Sequence, residues 1–310
     1  MEADAGDRVP SGVSNPLLEL ISGILARCSF ASASRLGARL GTLWYHLVPI
    51  RRRVVHGNLQ IAFPEHKERH RTMAAAAFRS TGEGVLELMR MSRMSSAELL
   101  ERVRVEGFDR YEAAAAQGKG VIVVTGHLAN FDLLACSQAA AGIPLAIVSK
   151  DLHARGMNRF WMKTRRQFGV EILSERSGRQ LLRWLRGGGV LGLVADQRTA
   201  ADEGGLLVPF FGRDVWTSTA AARLARHTGA PLLPVRICRT GPGTFDVRIE
   251  EMLPVRDRDG VLLDNYAICV LINQRLEAWI RDRPADWLWL HRRFLNSGES
   301  CQTSLEKGNQ

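Results

Sequence analysis

Four short apolar runs in the middle of the chain limit its fold more than any other feature. Val121–Val124, Leu145–Val148 and Val190–Ala195 carry no charged or polar side chain and Leu232–Ile237 only Arg236, whereas strands with one wet face alternate apolar and polar residues. Between them lie stretches of helical pattern at Asn130–Ala141, Arg155–Phe168, Gly178–Arg186 and Thr217–His227, and Gly187-Gly188-Gly189 supplies a tight turn into the third run. Such alternation predicts an α/β fold with a mostly parallel central sheet covered by helices on both faces. Phe245–Glu250 alternates as a further strand, Asp264–Arg281 reads as a helix, and DWLWLHRRF closes the folded part.

The first third reads as helical. RRRVVHGNLQIAFPE predicts a helix stopped at Pro64, followed by a long helix from about Glu65 to Met91. Ahead of it, Asn15–Ile50 is rich in Leu, Ile, Trp and Tyr, but Glu19, Arg27, Arg35 and Arg39 interrupt it. No run of about 18 uncharged residues is left to span a bilayer. As one continuous helix, at roughly 100° per residue, the segment would gather its three arginines on a third of the wheel. That pattern suits either a helix lying in a membrane interface or a helix pair packed on the main domain. The expected organisation is a disordered stretch over residues 1–14, membrane-interface helices over 15–50, one catalytic domain over 51–295 and a disordered tail over 296–310.

Composition narrows the partners. The 310 residues suit one large domain with an extension. Forty-two Lys and Arg against 32 Asp and Glu give a formal charge of +10, which favours anionic lipid, acidic proteins or nucleic acid. The basic residues are dispersed and no nucleic-acid-binding module is recognisable, so nucleic acid is not an expected partner. The five cysteines, Cys28, Cys136, Cys238, Cys269 and Cys301, form neither a Cys-x-x-Cys pair nor a zinc spacing. They read as reduced thiols in a cytosol-facing protein. Glu2, Asp4 and Asp7 argue against a signal peptide at the start.

Chemistry concentrates in VIVVTGHLANFDLLA, Val121–Ala135. In an open α/β sheet, ligands bind beyond the carboxyl ends of the strands, which is where His127 falls. Four residues separate it from Asp132, so a carboxylate in the first turn of the next helix is placed to curl back on the imidazole. Such a pair makes His127 a general base with a fixed tautomer. The structural alternative is a histidine satisfied at a strand end beside a helix-dipole carboxylate. No Gly-x-Ser-x-Gly elbow, Gly-x-Gly-x-x-Gly, Walker loop or His-Glu-x-x-His is present. What remains is a base that activates a hydroxyl of the substrate.

GHLANFD, VADQRT at Val194–Thr199, VPFFGR at Val208–Arg213, STAAARLARHTGAPLLPV at Ser218–Val235 and WLWLHRRF at Trp287–Phe294 together resemble the bacterial lipid A biosynthesis acyltransferase family. That group belongs to the lysophospholipid acyltransferase superfamily. With RRRVVHGNLQIAFPE, the likeness covers roughly residues 15 to 295.

The resemblance implies a glycerol-3-phosphate acyltransferase-like fold at the cytosolic side of the inner membrane. It implies transfer of a fatty acyl chain from acyl carrier protein or coenzyme A to an anionic glycolipid, with no metal and no bound cofactor. His127 matches the family's base and Asp132 its orienting carboxylate, where many members carry Glu. Asp196 and Gln197 match a strand-end block that shapes the active site. Arg165 matches an arginine placed to hold a phosphate or sugar, with Arg166 and Arg159 as competitors. Phe210 and Phe211 are candidates for bounding an acyl pocket.

Structural alternatives stand beside these roles: a loop cap for Asp196, a solvated helix face for the arginines, and core packing for the paired phenylalanines and for WLWLHRRF. Other acceptors, a thioesterase using the same base, and a non-catalytic basic membrane-binding protein are the competing functions.

Overall fold

The computed structural model describes residues 15–149, 155–174 and 177–295; the stretches expected to be disordered, 1–14 and 296–310, lie outside the described residues. The predicted strands form the centre of a seven-stranded sheet. β1 (Val103–Glu106), β2 (Val121–Thr125), β3 (Leu145–Ser149), β4 (Glu171–Ser174), β5 (Val190–Val194), β8 (Leu232–Gly241) and β9 (Thr244–Ile249) lie in the order β1-β9-β8-β2-β5-β3-β4. All neighbouring pairs are parallel except β8 with β9. Continuous apolar runs suit strands of a sheet that has helices on both sides.

Helices α7 (Phe131–Ala140), α8 (Arg155–Gln167) and α9 (Gly178–Arg186) occupy the predicted stretches. α10 begins later than expected, at Ala220, because Thr217 and Ser218 end a strand. That strand, β7 (Arg213–Ser218), pairs antiparallel with β6 (Gly205–Phe210) in a separate hairpin, which the apolar pattern did not announce. α11 spans Asn265–Asp282.

Upstream, α3 (Arg52–Ala62) stops before Pro64 as predicted, a 3-10 turn over Pro64–Arg69 precedes α4 (His70–Met91), and the short α5 (Ser96–Leu100) and α6 (Phe108–Ala115) flank β1. Residues 15–50 form two helices rather than one, α1 (Pro16–Leu25) and α2 (Phe30–Leu47), the second started by the Ser29 side chain accepting from the Ser32 amide. α2 packs tightly on α4. At Gly41 an added Cβ would run into Phe78 O and lie 2.9 Å from Arg79 Cα, and at Gly37 it would meet Gly82 O. The helices therefore touch backbone to backbone, an approach only glycine permits. Away from α4, Leu36, Leu40, Leu43 and Leu47 are exposed beside Arg35 and Arg39.

Candidate active site

β2 and β5 end side by side, the Ala195 amide donating to Thr125 O at 2.9 Å, so the residues that follow them meet above one sheet edge. His127 follows β2 and Asp196 follows β5. His127 Nδ1 lies 2.7 Å from Asp196 Oδ1. The His127 backbone amide and the Trp287 indole both donate to Asp196 Oδ2, at 2.8 and 2.7 Å. Burial alone would raise the Asp196 pKa, but the facing imidazole and these donors outweigh it and hold the carboxyl well below the usual range. With Nδ1 fixed on a carboxylate, Nε2 is the nitrogen left for another partner; Gln197 Nε2 lies 3.3 Å from it, and both residues line the cavity.

This corrects the expected partnership. Asp132 does not return to His127. Its buried carboxylate accepts from Arg165 Nε at 2.7 Å and from the Trp161 indole at 2.6 Å, tying the first turn of α7 to α8. A first-turn carboxylate has two possible neighbours, the preceding loop and the adjacent helix, and α8 brings a guanidinium that the imidazole cannot match. Arg165, expected to hold a phosphate or sugar, is buried in an ion pair with Asp132, and both residues line the cavity described below. Arg166 is exposed and Arg159 half-buried, and neither lines the cavity.

Phe210 and Phe211 also lie elsewhere. They join an aromatic cluster with Phe63, Trp287 and Phe294, and of these only Trp287 reaches the cavity wall. The closing WLWLHRRF block is core, as one of its two readings held, but irregular rather than a strand: only Leu128 and Trp287 form an antiparallel bridge. Trp287 was missed as a site residue, because its indole acts on a carboxylate 91 residues away.

The loop between His127 and α7 is tightly held. Ala129 has a left-handed φ of 44°, uncommon for a residue with a side chain, and its amide donates to Asp286 O at 2.7 Å. Asn130 caps α7 by accepting from the Leu133 amide, while its side-chain amide donates to the buried Glu87 at 3.1 Å. Glu87 in turn pairs with Arg239 of β8. Among the described residues, the amides of Phe131 and Asp132 have no acceptor, as expected in a first helical turn.

Beside this loop opens a cavity of about 1090 Å³. Its lining is mainly apolar, with His127, Gln197, Arg198 and Arg223 among its polar groups. Further back, His291 accepts from the Arg198 amide at 3.1 Å, and burial pushes its pKa down to about 4.

A histidine braced by a buried carboxylate thus stands beside a large, mainly apolar cavity on a mostly parallel sheet. The chain belongs to the bacterial lipid A biosynthesis acyltransferase family, whose profile matches residues 18–296. It is 25% identical over 263 residues to the lipid A biosynthesis palmitoleoyltransferase of Escherichia coli (strain K12), covering 84% of this chain and 83% of that one. To the lipid A biosynthesis lauroyltransferase of the same organism it is 26% identical over 266 residues, 84% of each chain. A phosphatidylinositol mannoside acyltransferase of Mycobacterium tuberculosis (strain CDC 1551 / Oshkosh) is 27% identical over 231 residues, 72% of this chain and 70% of that one.

Proposed function

We propose that this acyltransferase moves a fatty acyl chain from a thioester, on acyl carrier protein or coenzyme A, to a hydroxyl of a lipid A precursor or similar glycolipid. The observation that carries the reading is the pairing of His127 Nδ1 with Asp196, which leaves Nε2 as a base at the cavity. His127 takes the proton of the acceptor hydroxyl as its oxygen attacks the thioester carbonyl, and Asp196 stabilises the imidazolium. The unpaired amides at the start of α7 stabilise the tetrahedral oxyanion. Collapse breaks the carbon–sulfur bond, and the departing thiolate takes the proton back from His127. Asp132, in place of the role first expected for it, acts with Arg165 to hold α7 in position. Arg198 and Arg223, at the cavity, face the anionic acceptor.

The reading also places the enzyme on the cytosolic face of the inner membrane. No helix of the described residues is long and apolar enough to cross a bilayer. Instead Leu17, Leu20 and Ile24 of α1 and Leu36, Leu40, Leu43 and Leu47 of α2 are exposed, suited to lying in a lipid interface. α2 rests on the Phe78–Glu83 part of α4, and Ser80, Thr81 and Gly84 of α4 line the cavity.

A second acceptor class, a phosphatidylinositol mannoside, is favoured by the mycobacterial relative. Mass spectrometry of lipids from a strain lacking the gene separates the two: loss of one acyl chain from lipid A supports the first reading, and loss from another glycolipid replaces it. Release of labelled acyl groups with and without a lipid A precursor separates transfer from hydrolysis. Release independent of the acceptor would make the protein a thioesterase.

A further inference from the structure

The face of the sheet beneath α7 is open at its centre. Val123 of β2, Gly192 of β5 and Ile147 of β3 sit side by side in register and line the cavity. All three are partly exposed, while Ile122, Val124, Leu191 and Leu193, which point to the other face, are buried. Interior strands of a close-packed core leave no such opening. Leu134, Ala135 and Gln138 of α7 form the opposite wall, and Ile143, Leu145 and Val190 line it at the N-terminal edge of the sheet. The cavity thus continues below His127 as a channel along the strands. From Val194 to Val190 it follows four residue steps of β5, about 13 Å at ~3.3 Å per residue.

Gly192 stands midway along that path. Its φ is not in the left-handed region, so the backbone does not demand glycine there. Neither does crowding: an added Cβ would meet nothing closer than Ile147 Cγ2 at 3.4 Å, with Ala146 O and Leu145 Cδ1 at 3.6 Å. Glycine inside a strand weakens it, and commonly marks a place where a ligand comes close. What the missing side chain does at this position is keep the channel open.

We propose that Gly192 determines the length of acyl chain the enzyme accepts, the chain passing over it between α7 and the sheet toward Ile143 and Val190. The inference rests on the acyl-transfer reading for its substrate and on the channel for its geometry. Alanine at this position adds one carbon at ordinary contact distance from its neighbours, and valine adds two methyl groups more, narrowing the channel further.

The test compares wild type, Gly192→Ala and Gly192→Val on saturated acyl thioesters of increasing length, with calorimetric binding of the matching free fatty acids in parallel. Gly192→Val is expected to lose least with short donors, whose chains end before Gly192. With donors long enough to pass Gly192 it should lose about tenfold or more for each methylene that no longer fits. Gly192→Ala should show a smaller shift in the same direction, and it carries the test if the valine variant does not fold. An unchanged length preference, or equal loss at every length, in both turnover and binding would overturn the proposal. If no donor is turned over, the transfer reading fails while the length dependence of fatty-acid binding still decides on the channel.

Discussion

His127 Nδ1 and Asp196 Oδ1 stand 2.7 Å apart although 69 residues separate them in the chain, while Asp132, five residues from His127, faces Arg165 instead. The two carboxylates should therefore behave differently when neutralised. Asp196→Asn is expected to lower kcat by about 10³–10⁴-fold, with KM little changed, because the imidazole loses its tautomer and its counter-charge. Asp132→Asn should lower kcat much less. Steady-state kinetics of both variants with one donor and one acceptor check this, and equal losses would contradict it.

Arg165 and Asp132 are both buried, so removing one leaves the other charge uncompensated. Arg165→Met should destabilise the fold by about 3–5 kcal/mol, and adding Asp132→Asn should recover part of that loss. Denaturant unfolding of the single and double variants measures it. Additive losses would mean that the pair is not coupled.

His291 makes stability depend on pH. Burial, with the nearby charges of His127, Arg293 and Arg51, holds its pKa down to about 4 against the opposing pull of Asp196. An unfolded histidine titrates near ~6.5, so between about pH 6.5 and about pH 4 the unfolded chain binds a proton that the folded chain does not. Stability should fall as pH drops through that window, by at most about 1.4 kcal/mol per pH unit from this group. His291→Gln keeps an acceptor for the Arg198 amide and should flatten the slope. Unfolding midpoints of the two proteins across the window give the comparison.

Replacing Leu36, Leu40, Leu43 and Leu47 with serine should abolish co-sedimentation with anionic vesicles. Each of these changes should cost the fold little, since all four side chains are exposed on the α2 face away from α4. Retained vesicle binding would move the membrane contact elsewhere.

The sheet and the placing of His127 were legible because continuous apolar runs leave few alternatives and a strand end has one exit. The carboxylate partner was harder to read. Spacing along the chain favoured Asp132, but which strand lies beside β2 is decided by the crossover from β4 through α9, and a linear pattern does not encode that adjacency. Asp196 could still be singled out as ending a strand of the same sheet. Trp287 could not, since an indole donor within a run of core aromatics looks like packing. The arginines of α8 misled for a similar reason: charge marks Arg165, Arg166 and Arg159 alike, and only tertiary contact shows that Arg165 is taken by Asp132.

The most direct measurement is transfer of a labelled acyl chain from its carrier-protein thioester to a lipid A precursor by wild type and by His127→Ala, with folding of the variant confirmed by circular dichroism. Wild type should transfer in proportion to acceptor, and His127→Ala should lose about 10³-fold or more. Undiminished transfer by His127→Ala would contradict the account.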